Sequence, residues 1–194
     1  TNGDGVPEFA CGRIPAETSA DALAYIEKLE GFETAAPGAW TNRLLGVADN
    51  DDPQAGAFSG DAAASEQRVR DLGFNVSALH YPKGGNILQF RQDLKTAWNQ
   101  GAALVGYWGH GAVDRWGDEN FLPIADIAGL TNASGLPIVA GLTCYAGNDA
   151  FPGYASLAAA LVTNTTGGAI AAWMPTGLSL HPSAVTLGDA FFDL

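Results

Sequence analysis

The sequence predicts an α/β fold with a mostly parallel sheet covered by helices on both faces. Short apolar runs that do not alternate with polar residues recur at 44–48, 102–108, 136–143 and 168–173, and strands of that kind are buried on both sides. Between them lie segments with apolar residues at helical spacing, the alternation that parallel crossovers require. The composition is 47% hydrophobic and 15% charged, with 25 Gly and 10 Pro in 194 residues, which suits one domain with a sizeable core and frequent turns. Disordered, collagenous and coiled-coil chains are excluded on the same grounds.

From the N-terminus, a short strand is expected at 8–11. Thr18 or Ser19 caps a helix over 20–33, with Asp21 in its first turn and Ala22, Tyr25, Ile26 and Leu29 on one face directed at the core. The buried strand at 44–48 stops at Asp49, Asn50, Asp51, Asp52 and Pro53, a polar loop. A helix over 60–72 and a strand over 75–80 come next, then a helix over 87–99 with Leu88, Leu94, Ala97 and Trp98 facing inward. The strand at 102–108 ends in Gly109, His110 and Gly111. A short helix near 124–130 leads to the run at 136–143, which ends at Cys144. A helix of small residues at 155–162, a strand at 168–173 and a helix at 183–192 complete the reading, and no repeat or linker divides residues 1–194.

Charge and cysteine content narrow the function. The net charge is −12, from 9 Lys+Arg against 21 Asp+Glu with no basic cluster, which disfavours nucleic acid and anionic membrane surfaces. No stretch approaches the ~18 apolar residues of a spanning helix. Cys11 and Cys144 make no disulfide framework, and two thiols with three histidines are too few for a structural zinc site. Cys11, after Phe9 and Ala10, reads as a packing residue.

Ligands of open α/β sheets bind beyond the carboxyl ends of the strands. Asp49 and Asp51, His110 and Cys144 each fall just after a predicted strand and so share one edge. A thiol nucleophile needs an imidazole within reach to raise its thiolate fraction. The 34 positions between His110 and Cys144 match one strand–crossover–strand unit. Gly109 and Gly111 let a substrate approach, and the amides of Gly111 and Cys144 are placed for an oxyanion. Taken singly, a Cys at a strand end is usually a small hydrophobe and a His between glycines a turn residue; the pair on adjacent strand ends favours chemistry. The acidic loop from Asp49 to Asp52 fits a solvated turn equally well, and His80 and His181 have no partner that can be named from sequence.

Three motifs then resemble the gingipain family of cysteine peptidases: Tyr107, Trp108, Gly109, His110 and Gly111 with Trp116 and Gly117; Leu136 to Val139 leading to Thr143, Cys144, Tyr145, Ala146 and Gly147; and Gly12 to Thr18 before a helix. The resemblance runs from about Pro7 to the C-terminus. It implies a caspase-like α/β/α sandwich, with Cys144 as nucleophile and His110 as general acid/base. It also implies an acidic residue beside the histidine, for which Asp51 matches best by position and Asp49 is the neighbouring alternative. Asp61 lies near the family's substrate-reading carboxylate and Thr176 lies in the segment that resembles its pocket wall, so both are assigned to substrate binding; a charge complementing a helix N-terminus is the favoured alternative for Asp61. Asn2 to Pro7 resembles the end of an Asp/Asn-rich calcium loop, with Asp4 as a ligand of a structural calcium, although a plain turn has equal claim. The chemistry itself requires no cofactor.

The family's upstream subdomain is missing from this sequence, which reads as the catalytic fragment of a longer bacterial protein, secreted or at the cell surface. The expected function is a cysteine endopeptidase acting on protein or peptide substrates through a thioester. A transpeptidase using the same acyl-enzyme and a non-catalytic binding or assembly domain are the alternatives. A serine hydrolase is disfavoured by the lack of a Gly-x-Ser-x-Gly elbow. Side-chain preference and oligomeric state stay open.

Overall fold

The elements, in chain order, are α1 (Ser19–Thr34), β1 (Arg43–Ala48), α2 (Phe58–Asp71), β2 (Asn75–His80), α3 (Ile87–Asn99), β3 (Leu104–Trp108), the two-residue strands β4 (Gly111–Ala112), β5 (Arg115–Trp116) and β6 (Leu122–Pro123), the one-turn helix α4 (Ile124–Ile127), β7 (Ile138–Leu142), α5 (Leu157–Thr163), β8 (Ala171–Trp173) and α6 (His181–Phe192). The structure, a computed structural model, describes residues 11–193. Five strands form an all-parallel sheet in the order β2-β1-β3-β7-β8, and β4, β5 and β6 form a small antiparallel sheet. The α/β architecture with a mostly parallel sheet is the one expected.

Alternation along each strand sorts the side chains into two cores. Leu45, Val47, Val105, Tyr107 and Val139 meet Phe90, Leu94 and Trp98 of α3, Leu157 and Leu161 of α5, Trp116 of β5 and Phe121 just before β6. Leu44, Ala48, Trp108, Ala140 and Leu142 point the other way, onto Phe58, Ala62 and Val69 of α2 and Ala184 and Phe192 of α6. Gly46 and Gly106 are register partners on this second face. A Cβ at Gly46 would lie 2.2 Å from Glu66 Oε1 and one at Gly106 3.0 Å from the Phe192 ring, so the missing side chains admit a buried Glu66 and Phe192. Glu66 is satisfied by His80 at 2.8 Å, the partner the sequence did not reveal.

Several elements differ from expectation. Thr18 does cap α1, in a reciprocal pair with Asp21, but no residue of α1 is buried and Ile26 is 43% exposed. The helix lies over α5 and is held largely by polar contacts. Lys28 Nζ donates to the carbonyls of Val162, Asn164 and Gly167 at 2.9, 2.8 and 2.9 Å, and Tyr25 Oη donates to Ile170 O at 3.1 Å. Burial pulls the Lys28 ammonium down to about 8, and the ring of carbonyl oxygens is what makes the charged form tolerable. Leu88 faces solvent at 72% exposure because α3 turns Phe90, Leu94 and Trp98 inward instead. Cys11, expected as a packing residue, is exposed. The remainder of the strand expected at 8–11 lies outside the described residues.

Candidate active site

Parallel register places the functional edge. Ala48, Trp108 and Leu142 are level across β1, β3 and β7, so Asp49, Gly109 and Thr143 leave the sheet side by side. Asp49 N donates to Trp108 O at 2.9 Å and Gly109 N to Leu142 O at 3.4 Å, which keeps the three exits aligned. His110 and Cys144 consequently line one small cleft of about 60 Å3, together with Phe58, Thr143, Ser179 and His181. The sequence reading brought these two residues to one edge, and that is where they lie.

The loop carrying His110 is fixed through its backbone. Tyr107 Oη donates to His110 O at 2.6 Å, Gly117 N donates to the same carbonyl at 2.9 Å, and His110 N donates to Asp49 Oδ2 at 3.3 Å. Asp49 also accepts from Asn50 N at 2.8 Å and is 1% exposed. Burial pushes its carboxyl up to about 6, with Glu119 adding to the rise and the two backbone donors opposing it. Tyr107, fully buried beneath the loop, is pushed well above its ordinary value by burial and by Asp49.

The acidic partner of the imidazole is Asp52, not Asp51. His110 Nε2 lies 3.2 Å from Asp52 Oδ2. Asp52 sits in a tight turn closed by reciprocal backbone bonds with Gly56, at 3.0 and 2.8 Å, and that turn raises its carboxylate to the ring. A backbone donor from Gln54 first, and the imidazole after it, hold this exposed carboxyl below the usual range. Asp51 points away. It accepts from Ser59 N at 2.8 Å and Ser59 Oγ at 3.0 Å, supplying from a distance the cap that Ala57, the residue before α2, has no side-chain acceptor to make. Asp49, the other candidate, holds the backbone of His110 and not its ring.

Cys144 is partly buried, and its Sγ faces the backbone of Ser179: it accepts from Ser179 N at 3.4 Å and donates to Ser179 O at 3.5 Å. Among the described residues no hydrogen bond joins it to His110. Tyr145, directly after it, adopts left-handed backbone at φ 57, with its N–H on Gly177 O at 3.0 Å and its carbonyl accepting Asn148 N at 2.9 Å. Since Gly117 donates to His110 O, Gly111 stands opposite Trp116 as a non-hydrogen-bonded pair and its N–H faces away from β5. A Cβ at Gly111 would lie 2.3 Å from Thr143 Oγ1 and 3.3 Å from Cys144 O, so the expected oxyanion residues are adjacent. The Thr143 hydroxyl is buried there without a hydrogen-bond partner among the described residues.

The remaining expected residues fall elsewhere. Asp61, in the first turn of α2, lies 2.6 Å from His181 Nε2. Thr176 lines a separate groove of about 830 Å3 with Arg13, Tyr25 and Met174, not the cleft holding the thiol. Asp4 lies outside the described residues, and among the described ones no group of three His, Cys, Asp or Glu side chains is placed to hold a metal. None of the described helices is long and apolar enough to cross a membrane. Asp52 and His181 were missed for different reasons: only the turn to Gly56 decides which acid reaches the ring of His110, and His181 meets Asp61 across 120 positions of chain.

Comparison with known proteins finds a match to the family model described as Peptidase family C25 over residues 1–194. Among solved structures, the chain is similar to the Arg-specific cysteine proteinase gingipain R (RgpB), at 21% identity and a TM-score of 0.79 over 94% of this chain and 44% of that one. It is similar to the complex of Porphyromonas gingivalis RgpB pro- and mature domains, at 21% identity and a TM-score of 0.82 over 96% of this chain and 45% of that one. A structure described only as a protease matches at 16% identity and a TM-score of 0.69, over 84% of this chain and 36% of that one. The chain therefore spans less than half the length of these structures, and the likeness shows a shared fold. Curated proteins give no match.

Proposed function

Because the chain belongs to Peptidase family C25, we propose that it is a secreted or cell-surface cysteine endopeptidase cleaving protein or peptide substrates through Cys144 and His110. The observation that carries this reading is the strand register that brings an imidazole and a thiol into one cleft at the carboxyl edge of the sheet. Asp52 holds Nε2 of His110, which leaves Nδ1 to exchange protons with the reacting groups. The thiol proton passes to the imidazole and Sγ attacks the scissile carbonyl carbon. The amides of Gly111 and Cys144 stabilise the oxyanion. The C–N bond then breaks as the imidazolium protonates the leaving amine, and the acyl group remains as a thioester. Water, deprotonated by His110, hydrolyses that thioester and releases the acid.

Entry of a scissile peptide displaces the backbone of Ser179 from Sγ, since that peptide group sits where the substrate carbonyl must go. The test is turnover of a fluorogenic peptide library. Cys144→Ala and His110→Ala should abolish it, and Asp52→Ala should lower kcat on the order of 10²-fold. Full turnover after complete alkylation of Cys144 would overturn the mechanism. A thiol that resists alkylation in the folded protein would favour a binding domain on the same fold.

A further inference from the structure

His181 opens α6 two residues beyond the backbone that covers the thiol. Its Nε2 lies 2.6 Å from Asp61 Oδ2, the short spacing of a charge-assisted contact. The ring packs edge-on against Phe58 with centroids 6.1 Å apart, and Phe58 meets His110 in the same manner at 5.2 Å, so one phenyl ring separates the two imidazoles. Gly56 makes the position available, since a Cβ there would come 2.4 Å from His181 Cδ2. The imidazole, 29% exposed, is part of the wall of the cleft that holds Cys144, and the carboxylate behind it is 21% exposed. Around it the wall includes Ala55, Phe58, Leu142 and Ala184, together with His110 and Cys144.

A carboxylate behind such a wall, still 21% exposed, is the natural partner of a cationic side chain. Here the place is taken from within. An incoming cation would have to break a pre-organised contact before making its own, and it would gain only the difference between the two.

We propose that His181 is a specificity-determining residue: it satisfies Asp61 internally and directs the cleft toward uncharged side chains at the residue whose carbonyl Cys144 attacks. The identification of that residue rests on the peptidase reading; the occupation of Asp61 by His181 does not. The experiment therefore has two arms. In the first, benzamidine is titrated against the wild-type chain, His181→Ala, His181→Ser and the double variant His181→Ala with Asp61→Asn, and binding is followed by NMR shifts. Both single variants should bind benzamidine at least ~10-fold more tightly than wild type, a gain of about 1.4 kcal/mol, and the double variant should lose the gain. In the second, a peptide library varied at the scissile residue should be cleaved by wild type after Ala, Gly or Ser in preference to Arg or Lys. His181→Ala should shift the Arg-to-Ala ratio of kcat/KM upward by about tenfold.

Equal benzamidine affinity in wild type and both single variants would overturn the proposal, as would wild-type cleavage after Arg or Lys faster than after Ala. Benzamidine binding gained in the variants with no turnover by any form supports the role of His181 and removes the peptidase reading instead.

Discussion

The two faces of the sheet are packed differently. Against α3 and the small sheet, Tyr81, Phe90, Trp98, Tyr107, Trp116 and Phe121 form a continuous cluster of rings, with Trp116 stacked on Tyr107 at 4.2 Å. Against α2 and α6, Phe58, Trp108 and Phe192 are interspersed with Ala48, Ala62, Ala140 and Ala184, a buried carboxylate sits over Gly46, and the layer opens into the cleft beside Phe58. The aromatic face fixes the strands and the loop that leaves β3. The second face can then hold polar groups and an opening that a uniformly dense interior would exclude.

The largest expected effect tests the dense side. Trp116→Ala should cost about 3–5 kcal/mol in urea denaturation, since Trp116 is fully buried. Phe58→Ala, bordering open space, should cost less. Equal losses would break the contrast between the faces.

The next concerns two carboxyls on one loop. Burial lifts Asp49 from 3.8 to about 6, so the folded protein keeps its proton to higher pH than the unfolded chain does. Its contribution is most favourable below pH 3.8, declines as pH rises to about 6, and is constant above; the linkage amounts to about 3 kcal/mol. Asp49→Asn should flatten that falling limb in urea midpoints measured from pH 4 to 7. An unchanged limb would remove Asp49 as its source. Asp52, held below 3.8, has the opposite sign: its contribution is present above that pH and is lost on further acidification. The smallest effect is Asp51→Ala, which removes the remote cap of α2 and should cost about 1 kcal/mol in thermal unfolding. Its turnover should stay close to wild type, in contrast to Asp52→Ala.

Much of this was legible from sequence because strands buried on both faces announce themselves as apolar runs, and the residues just past the end of each run land at one edge. His110 and Cys144 were found in that way. The small sheet was not, since two-residue strands have no periodicity to read. The helix expected at 124–130 is a single turn, and the strand at 168–173 contributes only Ala171 to Trp173 to the ladder. α2 begins at Phe58, earlier than its nearest sequence signal, because its cap is eight residues back. That same contact explains the exchange of Asp51 for Asp52: neighbouring acids are equivalent in sequence, and only the turn to Gly56 decides which one reaches the ring. Asp61 and His181 are 120 positions apart, and no local pattern relates them.

Tyr145 carries a consequence for the thiol before it. A residue with a side chain held at φ 57 sits about 1–2 kcal/mol above the right-handed basin it would choose alone. A short peptide reading Thr-Cys-Tyr would relax out of that turn. The direction in which Cys144 presents its sulfur and its amide is therefore a collective property of the domain, sustained by the tether to Gly177 and by the layers behind it. It should vanish in the same cooperative transition that melts those layers, with no intermediate in which the nucleophile is displayed on a partly formed fold.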